Sequence, residues 1–381
     1  MVKMYTAYTL EVDDKDYALK EILQQLNLEQ NQRKYTAGIL ICHSDFIETG
    51  VTQEIAEKLP FDVVGCTSLA NMITGMDDSL MLTVSIFTSD DIRFSAFGAS
   101  DLENRDSVAK AYTAAKLDNA PALVVPFIPL LISIAHEQIM LDLDEVTDGV
   151  PIYGAVAADH TPDYSTCYTI LNGKVSKSSM TALAFWGDLN PVFYYSEMSE
   201  KYIQRQRAVI TKSEGNMLIE VNHISVPEYL KTIGVMEGAA AETLGAVPLL
   251  IDFGDGTPLV ARGLHTITED GHAYCGGFMP ENAALGIGSI ERDDVLRLTD
   301  ETLQSVMNSG KNQGLLMFPC GSHFLVLGAD AQEQKDIIAN KIQSNLPYQL
   351  CYSGGEICPA YDEEGKIHNR FHSFTFTACV F

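Results

Sequence analysis

The sequence predicts an α/β (α+β) fold: mixed β-sheets that share a core and carry helices on their outer faces. Three observations predict it. Short continuous apolar runs such as Ala37–Cys42 mark strands buried on both faces. Segments with helical spacing separate these runs, which argues α/β order, while the alternating segments that follow argue antiparallel partners. Finally, the same order of segments recurs three times along the 381 residues, and an internal repeat constrains a fold more than any one element does.

In the first copy, Met4–Val12 alternates as a strand, and Asp16–Leu28 has helical spacing at Leu19, Ile22, Leu23 and Leu26. Ala37–Cys42 is a buried strand, Thr52–Leu59 a helix and Phe61–Gly65 a second buried strand. Leu80–Thr88 and Ile92–Phe97 alternate on either side of Ser89-Asp90-Asp91, and Asp101–Leu117 is a helix. The second copy has the strand Ala122–Ile128, the helix His136–Val146 and the strand Val150–Gly154. Asn172-Gly173 then joins Tyr168–Leu171 to Lys174-Val175 as a two-residue hairpin, and Met180–Trp186 and Pro191–Ser196 alternate. In the third copy, Gly314–Pro319 and Phe324–Gly328 read as apolar strands, Ala331–Leu346 as a helix, Tyr348–Tyr352 as a strand and His372–Phe381 as the closing strand. Each second strand ends in a glycine turn: Val64-Gly65-Cys66, Tyr153-Gly154-Ala155 and Ser353-Gly354-Gly355.

Between the second and third copies lie the strands Ala208–Ile210, Met217–Val221, Pro248–Phe253, Leu259–Leu264 and His272–Phe278, with helices at Pro227–Ile233 and Arg292–Val306. No low-complexity linker interrupts the chain. Two tightly packed domains are expected, residues 30–226 and 227–381, with a boundary in Val226–Leu244.

A hydrophobic content of 46% with 20% charged residues is globular and not disordered. The net charge of −26 argues against nucleic acid and anionic membrane surfaces as partners. The longest apolar run, Ala122–Ala135, is short of a membrane span and carries two prolines. No apolar segment with a cleavage site opens the chain. The eight cysteines form no CxxC pair, which suggests reduced, buried thiols and a cytoplasmic location. HExxH, zinc-finger spacing, GxGxxG and P-loop patterns are all absent, so the residues themselves call for no metal or cofactor.

The most informative stretch is Leu350–Asn369. An apolar strand runs into Gly354-Gly355, and Glu356 follows at once, placed to receive an amine, a hydroxyl or an arginine. The plainer alternative is a tight turn with a solvated glutamate. Cys66 and Cys320 each follow an apolar strand, where α/β proteins place ligands. A thiol nucleophile would need a base and a lowered pKa. His323, three residues beyond Cys320, is the nearby base, and buried inert thiols are the commoner outcome.

Several of these motifs together resemble the FIST family of sensory proteins. Near the end, Gly355-Glu356-Ile357-Cys358-Pro359 is followed about ten residues later by His368-Asn369, and Leu315–Cys320 is similar to the family's apolar strand ending in cysteine. Where many members have an arginine three residues after that cysteine, this chain has His323. Upstream, Val64-Gly65-Cys66-Thr67, Ile152-Tyr153-Gly154 with Asp159, Asn172–Val175 and Val209–Thr211 with Gly215-Asn216 resemble the N-terminal domain, and Arg262 resembles the family's C-terminal-domain arginine. The resemblance implies a non-catalytic, bacterial signal-transduction protein that binds a small ligand, with amino acids proposed as ligands. Some members bind haem and sense nitric oxide for a partner histidine kinase, although no histidine here is singled out as an iron ligand. With no output segment visible, signalling would pass through a separate protein. Glu356, Asn369 and Arg262 would then form a polar cluster for the ammonium and carboxylate of an amino acid, with Gly354, Gly355, Cys320, His323, Gly65, Cys66 and Gly154 around it. In the alternative, Glu356 and Asn369 stabilise their own hairpin. Two other functions stay open: a haem-based gas sensor, and an enzyme using Cys66, Cys320 or Glu356.

Overall fold

The buried runs pair in parallel at the centre of three sheets, and the alternating runs close around them. In this computed structural model, residues 1–131, 135–161, 164–196, 208–235, 244, 247–342 and 346–381 are described. The Ala122–Ala135 run, the Ala331–Leu346 helix and the Val226–Leu244 boundary fall partly outside these residues.

The first sheet runs Lys3–Thr9, Leu82–Ser89, Tyr35–Cys42, Asp62–Thr67, Thr169–Leu171, Lys174–Ser176. The second runs Ile367–His372, Glu356–Tyr361, Gly154–Val156, Leu123–Ile128, Met180–Trp186, Arg93–Ala99. The third runs Val192–Tyr195, Phe376–Val380, Leu315–Pro319, Tyr348–Cys351, Asn71–Ile73, Met76–Asp78. Each has one parallel pair at its centre and an antiparallel strand beside the first member of that pair. The predicted threefold repeat is therefore present.

The sequence reading did not anticipate an exchange between the copies. The hairpin of the second copy completes the first sheet, with Thr169 opposite Cys66. That of the third copy completes the second sheet, with Glu356 opposite Ala155. The hairpin of the first copy completes the third, with Met72 opposite Leu350. Strands from both sides of residue 226 thus share sheets.

The inner faces meet in a single core that includes Ile39, Phe127, Phe185, Phe318 and Phe381, where Tyr153 stacks on Phe318 at 4.9 Å. Helices cover the outer faces as predicted. One is Lys15–Leu26, which starts at Asp14 accepting from the Tyr17 N–H and buries Ala18, Ile22 and Leu26 at a spacing of four. Among the described residues, no helix is long and apolar enough to cross a membrane.

The region between copies forms an eight-stranded antiparallel sheet. Its edge strands, Val260–Arg262 and Leu264–Ile267, are separated in the chain by Gly263 alone. Joined edges of this kind require the sheet to curl almost into a barrel.

Four expectations need correction. Gly65 and Gly154 lie inside strands and not in turns. Glycine is needed there because a Cβ would sit 1.7 Å from the Leu40 carbonyl oxygen and 2.1 Å from that of Pro126. Phe324–Gly328 belongs to the helix Ser322–Leu327 and the 3-10 turn after it, since a short apolar run carries no period that separates strand from helix. Leu259–Leu264 breaks at Gly263 into two strands. His372–Phe381 is not one strand: His372 ends Ile367–His372, and Phe376–Val380 follows in a different sheet.

Gly154→Ala is expected to destabilise the protein by at least about 1–3 kcal/mol, the usual cost of overpacking a rigid site. A lower urea midpoint at unchanged slope would show it.

Candidate functional site

The three sheets are tied together just beyond their parallel strands. Ala158 N–H donates to Thr67 O (3.0 Å), Gly354 N–H to Val156 O (2.9 Å) and Leu69 N–H to Tyr352 O (3.2 Å), closing a ring of three hydrogen bonds. Leu69, Ala158 and Gly354 are therefore equivalent positions in the repeat, and all three line a cleft of about 310 Å³. One wall is Cys320–Ser322 with Phe324 and Leu325; the opposite wall is Gly263–His265 from the curled sheet. Asp159–Thr161, Tyr164 and Ser373-Phe374 complete it. Ligand clefts in open α/β sheets lie beyond strand carboxyl ends, and this one sits between two structural units as well.

Two cleft residues have unusual backbones. Among the described residues, eight non-glycine positions have positive φ, and all but Tyr164 (54°) and Phe374 (63°) are Asn, Asp or His, which tolerate it. Both exceptions line the cleft. Strain of this sort, on bulky residues, persists where the surroundings enforce it and concentrates at functional sites. Asp159 holds the adjacent loop through four donors: the N–H and hydroxyl of Thr161 (3.1 and 2.8 Å) and of Thr166 (2.6 and 2.5 Å).

Glu356 lies immediately behind the cleft wall and is fully buried. Thr375 Oγ1 donates to it at 2.7 Å and Ser353 Oγ at 3.0 Å, and the Cys320 thiol donates as well. Burial outweighs these donors and pushes the Glu356 carboxyl up to about 8. Burial, with Glu356 beside it, pushes the Cys320 thiol up to about 12. His323 does not serve Cys320 as a base. Its Nδ1 faces Gln334 Nε2 at 2.9 Å and its Nε2 faces Phe374 O at 3.4 Å, and burial lowers it to about 4.

The structure does not bring the rest of the sequence-derived cluster to this place. Asn369 pairs with Pro359, an odd number of residues along the strand from Glu356, so the two project from opposite faces. Asn369 donates to Asp144 and to Val150 O (2.9 Å) and accepts from Ile152 N–H (2.8 Å), which fixes its strand to the helix His136–Thr147. Arg262 is also fully buried and bonds Glu137 (2.7 Å) and Phe371 O (2.6 Å). Glu137 accepts in addition from Phe278 N–H at 2.8 Å, so this ion pair clamps the curled sheet to the second sheet's helix. Cys66 sits in the central core beside Cys351, and burial raises it far above the ordinary thiol range. Gly65 and Gly154 lie one layer behind the ring. Gly355 makes room for the Phe371 ring, which a Cβ would approach to 2.4 Å. Of the ten residues singled out, Gly354 and Cys320 line the cleft, with Glu356 behind them.

The residues missed are Leu69, Ala158, the Gly263–His265 segment, Tyr164 and Phe374. Aligning the repeat on its strand ends, and not on its glycines, would have found the first two. Among the described residues, no group of three His, Cys, Asp or Glu side chains is placed to hold a metal ion.

A cleft between two structural units, with burial keeping the Cys320 thiol and His323 uncharged beside it, has the form of a small-ligand binding module. The chain belongs to the FIST family: the FIST N domain model matches residues 36–224 and the FIST C domain model residues 226–359. These domains are associated with sensory and signal-transduction roles. A search of the curated proteins finds no match.

Two outcomes are expected. Arg262→Ala should cost about 3–5 kcal/mol by leaving Glu137 buried without its partner; a double change of Arg262 and Glu137 to Met should cost less in the same denaturation experiment. Glu356 has a raised folded-state pKa, so its stabilising effect is complete below the unfolded value near 4.5 and is lost as pH rises towards about 8. Glu356→Gln should therefore gain stability over the parent across that window, read as thermal midpoint against pH.

Proposed function

We propose that this protein is a sensory receptor that takes a small organic ligand in the cleft and signals by changing how the curled sheet sits against the three-sheet body. The observation that carries this reading is the convergence of Leu69, Ala158 and Gly354, one from each sheet, on a cleft whose far wall is Gly263–His265. A ligand there touches both units at once, and occupancy would bias the interface that Arg262–Glu137 holds. Arg370 and His368, both paired with Asp255, cross the same interface. The output would go to a separate signalling protein, such as a histidine kinase. The free and buried state of all eight cysteines supports a cytoplasmic setting.

An amino acid fits this cleft at its ammonium end only, because Arg262 is committed elsewhere. Haem, carried by some relatives in the resemblance above, would meet two histidines in the lining, His160 at the mouth and His265, whose buried Nε2 has no hydrogen-bond partner. His265 packs its Nε2 within 3.4 Å of where a Gly276 Cβ would lie. A Soret band in the purified protein would replace the small-metabolite reading with the haem one.

A ligand at a hundredfold excess over its Kd should add about 2.7 kcal/mol of stability. It should also slow amide hydrogen exchange in residues 260–267. Cys320→Ser should keep this binding. A ligand consumed by the parent but not by that variant would instead make the protein an enzyme.

A further inference from the structure

The polar lining of the cleft is one-sided in charge. Among the described residues, no lysine or arginine lines it; the lining has the carboxylate of Asp159 and the histidines His160 and His265. Two buried arginines of the neighbouring interface are taken, Arg262 by Glu137 and Arg370 by Asp255. Four backbone donors of the lining are also taken: Ala158, Cys320, Gly321 and Gly354 N–H all bond carbonyl oxygens. Burial lowers His265 and thereby favours its neutral form. The chain as a whole carries −26, so the surrounding field draws cations towards it and repels anions.

What remains in the cleft suits a positive charge. Tyr164, Phe324 and Phe374 bring three aromatic rings to its lining, and ring faces attract ammonium groups. Asp159 stands in the wall, and the Glu356 carboxyl lies one hydroxyl behind it, through Ser353. Leu69, Leu130 and Leu264 give an apolar surface for a short hydrocarbon body.

We propose that the ligand of the cleft is a small organic cation, an amine on a short apolar body, held by the aromatic rings and by the field of Asp159 and Glu356. This rests on the reading of the cleft as a ligand site. The groups facing Glu356 are the hydroxyls of Ser353 and Thr375, the thiol of Cys320, Tyr153, Cys358 on its own strand and His372 opposite it. None of them is a cation at neutral pH, since burial lowers His372 to about 3. A bound ammonium would be the nearest positive charge and would favour the ionised carboxylate. Glu356 is mostly neutral below about 8 and ionised above it. Affinity for an amine should therefore strengthen as pH rises through that value, until the amine nears its own pKa of about 10.

The test compares hexylamine, hexanol and hexanoate, three probes with one hydrocarbon body, by thermal shift and calorimetry on the full chain. Hexylamine is expected to bind several-fold more tightly than hexanol, and hexanoate not at all. Its affinity should rise several-fold from about pH 7 to about pH 9, and Glu356→Gln should flatten that rise. Leu325→Lys places a cation at the exposed rim. It should weaken hexylamine several-fold without shifting the midpoint of the unliganded protein. Equal binding of hexanol and hexylamine would overturn the cationic ligand and leave the small-ligand reading standing. Tighter binding of hexanoate would overturn it outright. If none of the three binds, the small-ligand reading falls with it.

Discussion

Everything at the functional end of this molecule depends on a ring of three backbone hydrogen bonds. Thr67, Val156 and Tyr352 each lend a carbonyl to the N–H of a residue from another sheet, and the three bonds return on themselves. One such bond adds only about 1 kcal/mol net. Its value here is geometric, because backbone groups buried at a sheet end must find partners. The neighbouring sheet supplies them, which fixes the three strand ends within hydrogen-bonding reach and leaves the space beyond them as a cleft.

The two buried carboxylates show how one residue type can be put to different uses. Glu137 meets Arg262 and the Phe278 N–H, so its charge is matched and it acts as a clamp between structural units. Glu356 meets hydroxyls, a thiol and the Thr375 N–H but no cation, so burial dominates and its proton is held loosely near neutral pH. A matched charge gives rigidity, whereas an unmatched one responds to what arrives beside it. This difference, more than position in the sequence, separates the scaffold from the candidate site.

The sequence showed the repeat, the buried parallel strands and the outer helices, because each rests on a local pattern of apolar residues. It also pointed to the stretch around Gly354 and Glu356. It did not show the hairpin exchange, since Thr169–Leu171 has the same alternation whichever sheet it joins. Nor could it separate Arg262 in a cleft from Arg262 in an ion pair, because Glu137 lies 125 residues away. The glycines misled for a physical reason: Gly65 and Gly154 are needed for close backbone approach inside a strand, while Gly354 stands where the first copy has Leu69. Tyr164 and Phe374 carry no sequence signal of positive φ, since that strain is imposed by their surroundings.

The hairpin exchange also bears on how the protein is made. A ribosome releasing this chain from its N-terminus supplies Gly154–Val156 long before Glu356–Tyr361, the strand that must cover its edge. The third sheet waits in the same way, because Asn71–Ile73 is synthesised early and Tyr348–Cys351 late. An exposed strand edge invites pairing with another chain. The nascent protein therefore carries unpaired edges until Tyr348–Cys351 and Glu356–Tyr361 emerge, and the division into FIST N and FIST C marks segments of sequence more than separable steps of assembly. A chaperone that shields those edges during translation would find more to do here than in a protein whose halves close independently.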